Sequence, residues 1–192
     1  MKNLALPIFL LFLYACNSAD QKAPLAFEST VLTGKAVQSE AFNQSFKKVL
    51  FAYYNLKDQF IAENDAAIQL SSSQLLMEID SLPTKELKGD TAVVSTAQSY
   101  IDGIAAEIKG LLGEKDIEAR RKSLQMISEQ LYDLIRTVQY DQDKIYLAYC
   151  PMAFNNDGAS WLSNSSVILN PYLPKTMLNC GEVRDTIDFS KK

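Results

Sequence analysis

Four stretches of the chain repeat apolar residues at alternating steps of about three and four, and this periodicity limits the fold more than any other feature. Such a repeat puts apolar side chains on one face of an α-helix, and that face has to be buried. The four stripes are Phe42, Phe46, Val49, Tyr53, Leu56 and Phe60; Ile68, Leu75, Ile79 and Leu82; Val93, Ala97, Tyr100, Ile104, Ile108 and Leu111; and Ile117, Leu124, Ile127, Leu131, Leu134 and Val138.

Short polar links between the stripes favour antiparallel neighbours, so the sequence predicts a mainly α fold, an antiparallel up-down four-helix bundle. Asp65 is the expected N-cap of the second helix, Pro83 ends it, and the fourth helix opens at Asp116. The charged run "EARRK", residues 118–122, is expected to form a solvated helix face with charge pairs inside the helix.

The pattern changes after Tyr140, where an irregular C-terminal segment begins. "KIYLAY", residues 144–149, has the β-branched and aromatic content of a short strand. "ASWLSN", residues 159–164, is expected to form one helical turn that packs Trp161 and Leu162 onto the bundle. The surrounding asparagines, prolines and glycines are typical of turns. A loop of this length in a compact domain is usually functional or held in place by other contacts.

The N-terminus has the composition of a secretory signal: Lys2, a short apolar run over residues 4–14, and "LYAC" ending at Cys16. The motif "LYAC" resembles the end of a bacterial lipoprotein signal, which implies cleavage before Cys16 and lipidation of its sulfur. The predicted organisation is a signal peptide at 1–15, a flexible tether at 16–35 and one domain at 36–192. Asn17 after the cysteine favours a periplasm-facing outer-membrane lipoprotein over an inner-membrane one.

Composition argues against two classes of function. The net charge is −4 and there is no basic run, which is unlike a nucleic-acid-binding protein. The chain has no histidine, so neither a Ser-His nor a Cys-His nucleophile pair can form, and no Gly-rich phosphate loop is present. We therefore expect a protein that is not an enzyme.

The C-terminal segment does contain a group of sulfur residues: Cys150, Met152, Met177 and Cys180. Two thiolates and two thioethers are soft donors that suit Cu(I), which makes these four residues a candidate metal site. The rival hypothesis is a Cys150–Cys180 disulfide, which is possible outside the cytosol. By closing a loop it would stabilise the folded state by roughly 3–4 kcal/mol. Free structural thiols are a third alternative, and the residues alone leave all three open.

The segment "IYLAYCPMAFNNDGASWLSNSSVILNPYLPKTMLNCGEV", residues 145–183, resembles the C-terminal signature of the domain of unknown function 3347. "YYNLKDQFIAEN", residues 53–64, and "ARRKSLQMISEQL", residues 119–131, are similar to its helical part. That family occurs in secreted proteins of Bacteroidetes and related bacteria, and fused to periplasmic adaptor subunits of heavy-metal efflux pumps. Family members often have a glycine near the position of Pro174, and histidines in the helical part that this chain lacks.

The resemblance implies a lipid-anchored periplasmic domain that takes part in copper or heavy-metal handling, with heavy-metal efflux components as candidate partners. The membrane is reached through the lipid on Cys16, and no nucleic acid is expected. The alternative hypothesis is a protein-interaction module of an envelope or efflux complex that binds no metal, with Cys150 and Cys180 joined as a structural disulfide.

Overall fold

The computed structural model describes residues 38–191, so the expected signal peptide, the tether and Cys16 lie outside the described residues. Four long helices come first: α1 (Glu40–Ala62), α2 (Asp65–Asp80), α3 (Thr91–Gly113) and α4 (Ile117–Val138). Three strands follow: β1 (Ile145–Cys150), β2 (Ala159–Ser163) and β3 (Glu182–Ile187). Short 3-10 turns occupy Thr84–Glu86 and Phe189–Lys191. The prediction of a mainly helical bundle followed by an irregular segment with short β pieces is confirmed.

Side chains cap the start of each helix, which explains where the helices begin. Ser39, Asn64, Asp90 and Asp116 each accept a hydrogen bond from the backbone N–H three residues later. This satisfies one of the donors that a helix leaves free at its first turn. The cap of α2 is Asn64, so Asp65 is the first helical residue and not the N-cap that the sequence suggested.

The predicted stripes form the core. All six stripe residues of α1 are fully buried, and the stripe residues of α2 are buried with them. In α3 and α4 three positions, Val93, Tyr100 and Ile117, are only partly buried because they lie near helix ends or at the edge of the bundle. Each helix packs mainly against the next one along the chain, and α4 also packs against β2.

The C-terminal strands form one antiparallel sheet in the order β2–β1–β3. Trp161 pairs with Ala148, and both are buried against the helices. The expected helical turn at 159–164 is therefore wrong: residues 159–163 are a strand, because pairing with β1 satisfies their backbone groups and faces Trp161 to the core. A bulge between Leu147 and Ala148 shifts the register of the β1–β3 pair.

One buried hydroxyl joins the helices to the sheet. The Tyr53 hydroxyl of α1 lies 2.7 Å from Ser128 Oγ of α4 and accepts a hydrogen bond from the Leu162 N–H of β2 at 3.0 Å. Burial raises the pKa of Tyr53 to about 12, so the phenol stays neutral. Three elements that are distant in sequence are thus fixed at one atom.

Replacing Leu131 with aspartate tests the bundle. Leu131 is fully buried in α4, and a carboxylate there would have no partner, so Leu131→Asp is expected to lower the free energy of unfolding by about 3–5 kcal/mol. The measurement is urea unfolding followed by circular dichroism. Met126→Asp, at an exposed position of the same helix, is the control and should change stability by about 0.5 kcal/mol or less. Equal losses in both variants would contradict the bundle.

Candidate functional site

The candidate site lies where β1 ends at Cys150. Pro151 and Met152 follow, and the chain then reverses through a tight turn in which Phe154, Asn155 and Asn156 all have positive φ. Gly158 closes the turn with φ +82°, and its N–H donates to the Ala153 carbonyl at 2.9 Å. A Cβ on Gly158 would lie 2.0 Å from the Tyr149 hydroxyl, so only glycine fits there.

The second half of the site is a loop fastened by Asn170, which is fully buried. Its side-chain carbonyl accepts from the backbone N–H groups of Tyr172 and Leu173, and its amide donates to the Cys180 carbonyl at 3.1 Å. The Cys180 N–H in turn donates to the Met177 carbonyl at 3.0 Å. These bonds satisfy the buried amide and fix the backbone on both sides of Cys180.

The structure brings Cys150 and Cys180 together, as both the disulfide and the metal hypotheses require. The two residues are unbonded and lie close together, because Tyr149, which precedes Cys150, pairs with Glu182, two residues after Cys180. Cys150 is fully buried, whereas Cys180 is partly exposed. Gly181 makes this approach possible: a Cβ at its position would lie 2.8 Å from the Tyr149 carbonyl oxygen.

The surroundings of Cys180 change the pKa of its thiol. The hydrogen bond with Cys150 raises the pKa of the Cys180 thiol, and partial burial and repulsion between the two sulfurs raise it further. The backbone N–H of Met152 acts in the opposite direction by bonding the Cys180 sulfur. The net effect favours a neutral Cys180 thiol, so an ion that binds its sulfur has to displace a proton.

The two methionines of the candidate site are both exposed at the surface. Met152 is 45% exposed and Met177 is 37% exposed. Apolar side chains that merely fill gaps in a core are buried, and these two are not. The backbone of Met152 reaches Cys180, while both methionine side chains are partly open to solvent. Of the four candidate ligands, the two methionine residues are thus more exposed than the buried Cys150.

A buried arginine, which the sequence analysis placed on a solvated helix face, holds the loop in position. Arg121 is 5% exposed, and its neighbour Arg120 is buried as well. Arg121 donates to Glu63 Oε1 at 2.8 Å, to Glu118 and to the Pro171 carbonyl at 3.3 Å. The expected charge pair inside the helix is present, but the expected solvation is wrong because loop and helix-end acceptors cover the guanidinium.

Glu63 extends this cluster to the loop itself. Its carboxylate pairs with Lys175, two residues before Met177, as well as with Arg121. The hydrogen bonds from Lys175 and Arg121 lower the pKa of Glu63. A lowered folded-state pKa means that this stabilisation is present above the ordinary carboxyl pKa and is lost as the pH falls through the lowered value.

Residues 38–191 contain neither a metal-binding cluster of histidine, cysteine, aspartate or glutamate nor a membrane-spanning helix. No group of three or more histidine, cysteine, aspartate or glutamate side chains in that range could hold a metal ion. None of the helices in the same range combines the length and the apolar character needed to span a bilayer.

Residues 49–143 match the family model described as "Protein of unknown function (DUF3347)". The chain belongs to the DUF3347 family. The matched range covers most of α1, all of α2, α3 and α4, and ends just before β1. The four candidate ligands Cys150, Met152, Met177 and Cys180 therefore lie outside the matched part of this DUF3347 protein, although residues 145–183 resemble the C-terminal signature of the family. No curated protein and no solved structure matches the chain.

Replacing Glu63 with glutamine tests how the loop is held. The change removes the negative charge between Arg121 and Lys175, so Glu63→Gln should lower the free energy of local opening of the loop by about 1–2 kcal/mol. Hydrogen exchange at the Met177 and Cys180 amides is the measurement, and it should accelerate by about 5–30-fold.

Asp65→Asn is the matched control. Asp65 pairs with the other buried arginine, Arg120, at the same end of the bundle, but its carboxylate makes no ion pair with the described part of the loop. Exchange at the two loop amides should be unchanged in Asp65→Asn. Equal acceleration in both variants would show that the ion pairs act on the bundle as a whole and do not hold the loop.

Proposed function

We propose that this protein is a lipid-anchored periplasmic domain that handles copper or a similar soft metal, and that it binds Cu(I) through Cys150 and Cys180 with Met152 and Met177. The ion is cargo to be sequestered or delivered, and no catalytic activity is assigned to the chain. The observation that carries the proposal is the closeness of Cys150 and Cys180 at the end of the sheet, together with the exposure of Met152 and Met177.

The chemistry of the donors favours Cu(I) over other ions. Thiolates and thioethers are soft ligands, and Cu(I) prefers them to the oxygen ligands that magnesium or calcium take. The chain has no histidine, so the common mixed nitrogen–sulfur sites for zinc lack a ligand. Two cysteines that are already close need little rearrangement to bind one ion, which lowers the cost of forming the site.

The alternative proposal is an interaction module without metal, in which a Cys150–Cys180 disulfide fastens the loop. The closeness of Cys150 and Cys180 supports this arrangement too, because a disulfide needs the same proximity. The exposure of Met152 and Met177 favours the metal proposal, since a disulfide staple gives these side chains no role at the surface.

Metal titration of the reduced protein separates the two proposals. The protein is titrated anaerobically with Cu(I) against a chromophoric Cu(I) chelator. The unmodified protein should bind one ion, Cys150→Ser/Cys180→Ser should bind none, and Met152→Leu/Met177→Leu should bind about tenfold or more weakly. The leucine changes conserve volume, so the melting temperature should hardly change.

Met77→Leu/Met126→Leu is the matched control, because both methionines are exposed and lie on the helices away from the sulfur group. Its affinity should equal that of the unmodified protein. Affinity should also fall as the pH falls, beginning above the ordinary thiol pKa, because protons compete for the Cys180 sulfur, whose pKa is raised. Absence of Cu(I) binding by the fully reduced protein would contradict the metal proposal.

Anchoring is tested separately. The lipoprotein-like "LYAC" supports attachment through Cys16, so Cys16→Ser should move the protein from the membrane fraction to the soluble fraction. The measurement is fractionation of cells followed by immunodetection. Cys150→Ser is the control and should leave the protein in the membrane fraction. A Cys16→Ser variant that remains membrane-bound would rule out the lipid anchor.

A further inference from the structure

A phenylalanine in α1 is far more exposed than its residue type favours. Phe51 is 75% exposed, although it lies in the middle of a helix whose aromatic stripe residues are buried. It lines two surface cavities of about 240 and 480 Å³. An exposed aromatic side chain beside apolar cavities is typical of an interaction surface.

The larger cavity is the groove between α1 and α2, lined by Gln44, Lys47, Lys48, Phe51, Ala52, Gln74 and Glu78. Its two walls differ in charge. The α1 wall carries Lys47 and Lys48, while the α2 wall carries Glu78. Lys48 has no ion pair with residues 38–191, and Glu78 accepts a hydrogen bond from Gln74 at 2.5 Å. Lys48 and Glu78 are thus available to charged groups of a partner.

We propose that this groove is a dimer interface that binds a second copy of the same chain. A two-fold axis parallel to the groove places α1 of one copy against α2 of the other, and facing residues then lie at the same level along the helix axes. Lys48 of each copy then faces Glu78 of the other, and each Phe51 enters the other copy's groove beside Gln74. The interface is isologous, with the same residues contributed from both sides.

Charge is what selects a second copy over other occupants. A membrane surface with anionic headgroups would attract the lysines but repel Glu78. An acidic peptide would meet the same repulsion on the α2 wall. A two-fold copy satisfies both walls at once and also buries Phe51. The interface lies on α1 and α2 and involves none of the sulfur residues, so it does not depend on the proposed metal function.

Site-specific photocrosslinking of the full chain in cells tests the proposal. A benzophenone amino acid replaces Gln44, which lines the groove, and in a control it replaces Thr96, an exposed residue of α3. Irradiation should give a product of two copies, identified by mass spectrometry, from position 44 and not from position 96. Adding Phe51→Ser should reduce that product by about tenfold. Val167→Ser, at another exposed apolar residue, should leave it unchanged.

A charge exchange tests the arrangement of the two copies. Lys48→Glu and Glu78→Lys should each weaken the two-copy product, because each places like charges opposite one another twice. Producing the two differently tagged variants in one cell should restore a mixed product, since each charge again faces its opposite. Absence of a two-copy product, products formed only with lipid or other proteins, or failure of the mixed pair to recover would overturn the proposal.

Discussion

The position of the C-terminal sheet depends on the buried hydroxyl of Tyr53. This one oxygen bonds Ser128 of α4 and the backbone of Leu162 in β2, so two helices and a strand share a single polar contact inside an apolar core. A buried hydroxyl without partners is costly, and the partners here satisfy it only when the sheet lies in one place on the helices. The sheet is thereby held in one position on the helices, and the end of β1, which carries Cys150, is held there too.

The sequence was sufficient where periodicity determines structure. The α1 stripe predicted six fully buried side chains, because each helical turn presents the same face to the core. The closeness of Cys150 and Cys180 followed from the rarity of cysteine in the chain and from the need to hold a long irregular segment. These predictions rest on short-range spacing, or on chemistry that needs only two partners.

The errors in the sequence analysis share a cause. Arg121 was expected in solvent because charged residues usually are, yet its partner Glu63 is 58 positions away and no local pattern connects them. Residues 159–163 were expected to be helical because the partner that makes them a strand, β1, lies outside the window in which propensity acts. Asn170 likewise looks like an ordinary turn residue until the loop closes around it.

Glu63 connects the end of α1 with the loop that contains Lys175 and Cys180. Glu63 ends α1 in a left-handed conformation with φ 50°, which glycine adopts with less strain than other residues. Glycine would relax the backbone but would leave Arg121 and Lys175 without their shared carboxylate. Selection at this position therefore acts on two unrelated requirements. Insertions or deletions in the α1–α2 link are constrained by a loop far along the chain, and the two regions are expected to evolve together.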